Sequence, residues 1–189
     1  MQDGTSLPPR CRSDLGRGLR TWRALHRVKQ SHAAELLGVS QPQISRWESG
    51  TQEPGQDEAR LLADLLSARL AGGADGRLGK FVGDSVSPLH LICDMTHRLL
   101  AYSSARARQF RRVPEELDGA LLWECASPDI IEAERNLETL GWFDLVAPII
   151  ELETTGHRSH LLEIPESRFT WTRFRLSDGR YARLVETIN

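Results

Sequence analysis

The sequence is poor in the features that mark several large classes of protein. It has three cysteines in 189 residues, Cys11, Cys93 and Cys125, and no Cys-x-x-Cys pair. An odd number of widely spaced cysteines is typical of reduced thiols rather than of a disulfide framework. No apolar run approaches the roughly 18 residues of a membrane span, and the start of the chain lacks the apolar core of a signal peptide. We therefore expect a cytoplasmic protein without a membrane partner.

Recognisable catalytic and metal-binding patterns are also scarce. Catalysis needs a nucleophile or a general base with an orienting partner, and Cys125, in LLWECASPD, has no paired His nearby in the sequence. Ligand-type residues three or four positions apart occur at Cys93 with His97 and at His157 with His160, but neither pair belongs to a four-ligand set. We expect no enzymatic activity, no cofactor and no metal site. An enzymatic C-terminal domain attached to a DNA-binding segment is the disfavoured alternative.

The charge is nearly balanced, with 24 Lys and Arg against 26 Asp and Glu. It is unevenly distributed, because residues 1–70 carry ten basic and eight acidic residues, whereas residues 71–189 carry fourteen and eighteen. Seven basic residues and a single acid, Asp14, lie between Arg10 and Lys29. This density attracts phosphate groups if the side chains share a face. A solvated helix face is the alternative interpretation.

Four short helices are predicted in the first seventy residues from apolar positions spaced by three or four. The first includes Leu15 and Leu19, and the second closes at Gly38, a residue that adopts a left-handed backbone at a helix end without steric cost. The third begins at Ser40, which forms a capping box with Gln43. A leucine-rich stripe supplies the fourth helix, so we expect a small all-α core.

The N-terminal part of the chain resembles a known DNA-binding family. The segment QSHAAELLGVSQPQISRWESG, with LGRGLRTWR before it and EPGQDEARLLADLL after it, is similar to the helix-turn-helix domain of the Cro/CI-repressor (XRE) family. The resemblance spans residues 14–70 and implies a homodimer that binds double-stranded DNA. Reading of the major groove requires a short second helix with polar side chains on one face, which this segment provides.

The resemblance implies roles for individual residues. Base reading maps onto Gln41, Pro42 and Arg46, where a Gln amide can pair with adenine and an Arg fork with guanine. An internal ion pair is implied for Arg23 and Glu48. Contacts with the DNA backbone are implied for six further residues: Gln30, Gln43, Ser45, Ser49, Arg20 and Lys29. Two alternatives stay open, because Gln43 can serve the helix cap instead and Arg20 can simply be solvated.

Three positions depart from what is usual in the family. Ala33 stands where a larger apolar residue is usual, Lys29 where a small capping hydroxyl is usual, and Pro42 where a polar base reader is usual. The base preference of the family is therefore not transferable to this chain.

The remainder of the chain has a different organisation. Residues 71–87 hold five glycines among small and polar residues, which predicts a linker without helix or strand. Residues 88–189 show two short strands, a helical middle and about three further strands, the last two joined at Ser177-Asp178-Gly179-Arg180. This order, with LHLICDMTHRLLAYSSARARQF, LDGALLWE and SDGRYARLVE, resembles a PAS-type sensor domain. It implies an α+β PAS-like fold with an antiparallel sheet.

PAS-like domains form dimers and sense signals. A small-molecule ligand and a protein partner are both open alternatives for what this domain binds. The apolar residues that fit either a pocket or an ordinary core are Ile92, Leu122, Trp123, Trp142, Phe143 and Trp171. An arginine run, Arg106, Arg108, Arg111 and Arg112, fits a solvated helix face better than a phosphate contact. We expect a transcriptional regulator of XRE type. The alternative is a protein-interaction regulator that acts through another transcription factor with little direct reading of DNA.

Overall fold

The computed structural model describes residues 11–110, 117–159 and 162–188, with side chains from Leu15 onward. The chain divides into two compact units between Ser67 and Ala68. None of the described helices is both long and apolar enough to cross a membrane.

Four residues singled out in the sequence, Arg10, Arg111, Arg112 and His160, lie outside the described ranges.

The N-terminal unit contains the four predicted helices. They are α1 (Cys11–His26), α2 (Gln30–Leu37), α3 (Gln41–Glu48) and α4 (Gln56–Leu66). Helix α1 packs against α3 and α4, and α2 packs against α3. The buried apolar side chains of this unit come from all four helices: Leu15, Leu19, Ala33, Ala34, Leu37, Ile44, Trp47, Ala59, Leu62, Ala63 and Leu66. The predicted all-α bundle is confirmed.

Helices α1 and α3 approach each other closely at Gly16. A Cβ atom placed on Gly16 would lie 1.9 Å from the backbone oxygen of Trp47, at the end of α3. Real Cβ atoms essentially never come within 3.0 Å of another heavy atom. Only glycine allows the two helix backbones to come this near.

The C-terminal unit is an α+β domain. Its elements are α5 (Gly73–Gly83), β1 (Leu89–Cys93), β2 (Leu99–Tyr102), α6 (Ser104–Phe110), a 3-10 helix (Leu122–Cys125), α7 (Pro128–Arg135), β3 (Ile150–Thr154), β4 (His157–Arg158), β5 (Glu163–Ile164), β6 (Ser167–Arg175) and β7 (Tyr181–Ile188). Five strands form one antiparallel sheet in the order β2-β1-β7-β6-β3, and β4 pairs with β5. The predicted antiparallel sheet is confirmed.

The two faces of the sheet carry different apolar clusters, because successive side chains of a strand point to opposite sides. On β1, Leu91 belongs to the cluster that includes Val82 of α5. Its neighbour Ile92 belongs to the larger cluster, which includes Phe110 of α6 and Trp171 of β6. Both faces of the sheet are therefore covered.

Helix α5 corrects the prediction that residues 71–87 form a linker without regular structure. Each glycine in a helix costs about 1 kcal/mol relative to alanine, so the sequence argues against a helix here. Tertiary contacts outweigh this cost: Val82 is buried, and the carboxylate of Asp75 accepts hydrogen bonds from the backbone N–H of Ser177 at 3.1 Å and from its hydroxyl at 2.9 Å.

Two boundaries in the middle of the C-terminal domain also differ from expectation. The helical spacing of residues 128–140 predicts one helix, which ends in the structure at Arg135. The apolar run over residues 145–152 predicts a strand, which begins in the structure at Ile150. Residues 136–146 form turns and bends, and Leu145 and Val146 are exposed. Apolar side chains that point to solvent produced the mistaken strand pattern.

Candidate DNA-binding surface and a cavity in the C-terminal domain

The turn between α2 and α3 is formed by backbone features that the sequence predicts. Gly38 ends α2 in the left-handed conformation, with φ 66°, and its N–H donates back to the last turn of α2. Ser40 precedes α3 in an extended conformation. Ile44 and Trp47 of α3 are buried together with Leu37 of α2. The turn therefore holds α3 against α2 with one face of α3 turned away from the core.

That outward face of α3 carries the residues predicted to read bases. Gln41, Pro42 and Arg46 are all exposed, as are Ser45 and Ser49. Residues three or four positions apart lie on the same face of a helix, so these five side chains form one continuous exposed surface. We call the surface formed by Gln41, Pro42, Ser45, Arg46 and Ser49 the α3 face.

A chain of hydrogen bonds leads from the α3 face to the start of α2 and into α1. The amide of Gln41 donates to the side-chain oxygen of Gln30 at 2.6 Å. The amide of Gln30 donates to Glu48 at 2.9 Å. Glu48 also accepts two hydrogen bonds from Arg23, each of 2.6 Å. The predicted base reader, the predicted phosphate anchor and the two residues predicted to form an ion pair are thus directly connected.

The Arg23–Glu48 ion pair shifts the pKa of both groups. Hydrogen bonding to Glu48 raises the pKa of Arg23 above its ordinary value. Burial alone would raise the pKa of Glu48, but the hydrogen bonds from Arg23 and Gln30 and the charges of Arg23 and Arg20 outweigh it, so that this pKa lies below its ordinary value. Glu48 is therefore ionised at neutral pH. Arg23 also donates to the backbone oxygen of Val28 at 2.8 Å, which ties α1 to the turn before α2.

The other residues predicted to contact the DNA backbone differ in how free their side chains are. Gln43 is engaged in the helix cap, where its side-chain oxygen accepts from the backbone N–H of Ser40 at 3.0 Å and from the Ser40 hydroxyl at 2.8 Å. The hydroxyl of Ser49 donates to the backbone oxygen of Arg46 at 3.1 Å. Lys29 and Arg20 are exposed, and Lys29 makes no side-chain cap to α2.

The C-terminal domain contains a cavity of about 80 Å³. It is bounded by the sheet on one side and by the helical segments on the other. The lining side chains are His90, Ile92, His97, Arg106, Phe110, Leu122, Trp123, Cys125, Ala126, Ile130, Leu162, Ile164, Ser167, Phe169, Trp171, Arg183, Val185 and Thr187.

Six apolar residues are predicted from the sequence to line a pocket or to belong to an ordinary core. In the structure they divide between the wall of the cavity and the core. Four of them line the cavity: Ile92, Leu122, Trp123 and Trp171. Trp142 is instead fully buried in the core. Phe143 is partly buried and packs against this core cluster.

A buried ionic cluster lies beside this cavity. Arg183, only 1% exposed, donates to Asp94 at 2.9 Å and to Glu134 at 2.7 Å. Asp94 also accepts a hydrogen bond from Arg173 at 2.9 Å and one from the indole N–H of Trp142 at 3.1 Å. Burial alone would raise the pKa of both carboxyls. At Asp94 the charges of Arg183 and Arg173, with the hydrogen bond from Arg183, together outweigh burial and keep the pKa below its ordinary value. At Glu134 the charges of Arg183 and His97, with their hydrogen bonds, have the same net effect on the pKa. The two carboxylates and the two arginines balance each other.

Arg106 corrects the interpretation of the arginine run as a solvated face. Arg108 is exposed, as expected, but Arg106 is 6% exposed and points to the sheet side of α6. Its guanidinium donates to the backbone oxygen of Pro88 at 2.7 Å and to Thr187 at 2.9 Å. Phe110, four residues later and also buried, lies on the same side of α6 and is the sequence signal for an inward face.

Ligand-type residues do not assemble into a metal site in the described part of the chain, where no three His, Cys, Asp or Glu side chains are grouped to hold an ion. Cys93 instead accepts hydrogen bonds from the backbone N–H groups of Ala68 at 3.3 Å and Thr96 at 3.4 Å. His97 lies 3.5 Å from Glu134, within ion-pair distance.

Comparison with known proteins finds a family similarity for the N-terminal region. Residues 19–71 match the helix-turn-helix family HTH_3. No curated protein matches the sequence.

Several solved structures that are similar to the chain are PAS domains. A PAS domain from a two-component sensor histidine kinase is 15% identical and covers 60% of this chain and 93% of its own, with a TM-score of 0.42. The PAS domain of an HTR-like protein from Haloarcula marismortui is 14% identical and covers 61% and 96%, with a TM-score of 0.42. A PAS domain from Desulfitobacterium hafniense is 14% identical and covers 58% and 98%, with a TM-score of 0.40.

The element order of the C-terminal domain, two strands, a helical middle and three main strands, is the order on which the PAS resemblance was based. Residues 19–71 are thus similar to the helix-turn-helix family HTH_3, and the C-terminal unit is an α+β domain with a five-stranded antiparallel sheet.

Proposed function

We propose that this chain is a sequence-specific regulator of transcription, which binds double-stranded DNA as a homodimer and reads a near-palindromic operator through the helix Ser40–Ser49. The observation that carries the proposal is the α3 face. Its polar residues are exposed while Ile44 and Trp47 of the same helix are buried, as insertion of a recognition helix into the major groove requires.

Arg46 and Gln41 supply the chemistry for direct base reading. The guanidinium of Arg46 has no hydrogen-bond partner among the described residues, so both arms of its fork are available to a guanine edge. Gln41 donates one amide hydrogen to Gln30 and retains the second, together with its carbonyl oxygen, for an adenine edge. Each such bidentate pair discriminates against a wrong base by about 1–3 kcal/mol.

Residues beside the α3 face position the domain on the duplex. Gln30, Ser45, Ser49, Arg20 and Lys29 are assigned to phosphate contacts. Contacts of this kind set register and affinity without reading sequence. Gln43 contributes through the cap that begins α3, because its side-chain oxygen is already engaged there.

The PAS-like domain is assigned dimerisation and sensing. A two-fold dimer presents two copies of α3, so the operator is near-palindromic, with half-site centres about 10–10.5 base pairs apart or a multiple of that. A ligand or partner bound to this domain changes the geometry of the dimer and therefore its affinity for DNA. A net charge of −2 with a basic N-terminal segment fits a protein that binds DNA at one end only.

The proposal is tested by selection of bound fragments from genomic DNA with the purified full-length protein at about physiological salt. Salt is held constant because phosphate-driven binding depends steeply on it. Arg46→Ala is compared with Arg60→Ala, which removes the same charge from α4 rather than from α3. We expect the wild type and Arg60→Ala to recover one shared near-palindrome and Arg46→Ala to lose it.

A second candidate function, a protein-interaction regulator that barely reads DNA, predicts the opposite result. In that case Gln41→Ala and Arg46→Ala leave the regulatory phenotype unchanged in cells, and no variant enriches a shared sequence. Either finding would contradict direct operator reading.

A further inference from the structure

The cavity of the PAS-like domain has an unusual distribution of charge. Two of its lining residues, Arg106 and Arg183, are buried cations. A buried charge is costly unless it is paired. Arg183 meets this requirement through Asp94 and Glu134, at 2.9 Å and 2.7 Å. Arg106 does not, because its described hydrogen-bond partners are all neutral groups.

The hydrogen bonds of Arg106 leave its Nε–H without a partner among the described residues. One terminal nitrogen donates to Gln109 at 2.8 Å, and the other donates to the backbone oxygen of Pro88 and to Thr187. The Nε–H is buried and has no partner among the described residues. Burial without a compensating carboxylate lowers the pKa of Arg106 to about 10, which still leaves the group charged at neutral pH.

His90 adds a second unpartnered polar atom to the same wall. It is 7% exposed and lines the cavity from β1, and its Nδ1 has no hydrogen-bond partner among the described residues. Burial, followed by the charge of Arg106, lowers the pKa of His90 well below its ordinary value, so the ring is neutral at pH 7. A neutral imidazole can donate one hydrogen bond without adding a second positive charge.

The rest of the cavity limits the size and polarity of an occupant. Phe110, Trp123, Phe169 and Trp171 give it an aromatic wall. Its volume of about 80 Å³ is about half that of an engineered apolar cavity of ~150 Å³ that takes up benzene. A single unbalanced cation matches a single negative charge, whereas a dianion would leave one charge buried without a partner.

We propose that this cavity binds a short-chain carboxylate, whose charged end accepts hydrogen bonds from Arg106 and His90 and whose apolar end contacts the aromatic wall. The carboxylate supplies the missing partner for the buried guanidinium, and it accepts a charge-assisted hydrogen bond from the Nε–H that has no other partner among the described residues. This inference rests on the proposed function in one respect: it names the class of ligand that the sensing domain takes.

Binding is measured on the full-length chain in the absence of DNA, so the result does not depend on operator reading. Trp123 and Trp171 line the cavity, and their fluorescence reports its occupancy. The probes are propionate and butyrate, each compared with its amide, which has nearly the same shape without the charge. We expect a saturable change with the carboxylates and affinity at least about tenfold weaker for the amides, since hydrogen bonds to charged groups are the stronger ones. Equal affinity for acid and amide, or no saturable change with either, overturns the proposal.

Variants on α6 locate the charged end of the ligand. Arg106→Gln removes the buried charge, and Arg108→Gln removes an exposed one two residues away on the same helix. We expect Arg106→Gln to weaken carboxylate binding by at least about tenfold and Arg108→Gln to leave it unchanged. Unchanged binding by Arg106→Gln overturns the proposal.

Circular dichroism establishes whether Arg106→Gln folds. If it does not, Arg106→Lys keeps the charge but lacks the Nε–H donor, and it is expected to bind the carboxylates more weakly than the wild type. Wild-type affinity in this variant contradicts the assigned contact. Loss of carboxylate binding with an intact operator overturns only this inference, whereas loss of the operator with intact carboxylate binding overturns only the proposed regulator.

Discussion

The side chains of Gln30 and Gln41 are joined by a hydrogen bond of 2.6 Å, with the amide of Gln41 donating to the oxygen of Gln30. One residue begins α2 and the other begins α3, so the bond crosses the helix-turn-helix at the surface proposed to meet DNA. Through the second bond, from Gln30 to Glu48, the orientation of Gln41 depends on residues that do not reach the α3 face.

Replacing Gln30 with Ala should therefore affect specificity as well as affinity. The variant loses the proposed phosphate contact and frees the Gln41 side chain to adopt other orientations. We expect operator binding about fivefold to tenfold weaker, the loss of roughly one hydrogen bond, with relaxed discrimination at the base pair read by Gln41. Titration against operators that carry each base at that position measures both effects. Ser31→Ala, next to it on α2 and exposed, is the control.

The Arg23–Glu48 pair should make the stability of the N-terminal domain depend on pH. Because the pKa of Glu48 is lower in the folded protein than its ordinary value, the pair stabilises the fold above about pH 4.3, the ordinary pKa of Glu, and this contribution is lost as the pH falls further. Glu48→Gln should lower the free energy of unfolding by about 2 kcal/mol at pH 7. It should also make the free energy of unfolding depend less on pH in the acid range. Urea unfolding of wild type and variant at pH 7 and pH 3 checks this, and parallel pH profiles would contradict it.

Substitution of Gly16 should be far more damaging than its place in a helix suggests. Alanine is intrinsically favoured over glycine there by about 1 kcal/mol, but its Cβ would lie 1.9 Å from the backbone oxygen of Trp47. We expect Gly16→Ala to destabilise the N-terminal domain by about 1–3 kcal/mol through separation of α1 and α3. Gly76→Ala in α5, where a Cβ meets nothing within 4 Å, is the matched control and should be neutral or stabilising. Thermal unfolding measures both; equal effects would show that the close approach is not maintained.

Removal of Arg183 should destabilise the PAS-like domain severely. Arg183→Met leaves the carboxylates of Asp94 and Glu134 buried without their main partner, which costs about 3–5 kcal/mol when a buried pair is broken. Arg175→Met, at an exposed position on β6, is the control and should change stability little. The pKa of both carboxyls should rise in Arg183→Met, so its deficit should shrink as the pH is lowered and the carboxyls become neutral. Chemical denaturation across pH tests this, and a deficit that is constant with pH would contradict it.

Local chemistry explains why the N-terminal domain could be predicted almost completely. Its helices are short and amphipathic, and their ends are marked by residues with one dominant structural use, Gly38 in a left-handed cap and Ser40 with Gln43 at the start of α3. Interactions of this kind act within four residues of the chain. The exposure of Gln41 and Arg46 follows from the same helical period that buries Ile44 and Trp47.

The C-terminal domain could be predicted in order but not in detail. Strand β7 and the turn at Ser177–Arg180 follow the alternating pattern, and their positions agree with expectation. Helix α5 does not, because its glycines weaken any local signal and its stability comes from the sheet face and from Asp75, which bonds to Ser177 about a hundred residues away.

The sequence by itself determined the helix-turn-helix, the face of α3 that is exposed, and the succession of strands and helices that follows, since each depends on short-range periodicity and capping. Only the tertiary structure decided that Arg106 is buried while Arg108 is exposed, that Gly16 touches α3, and that Arg183 balances two distant carboxylates. These relationships join segments far apart in the chain, and burial and charge balance are properties of the packed domain that no local pattern carries.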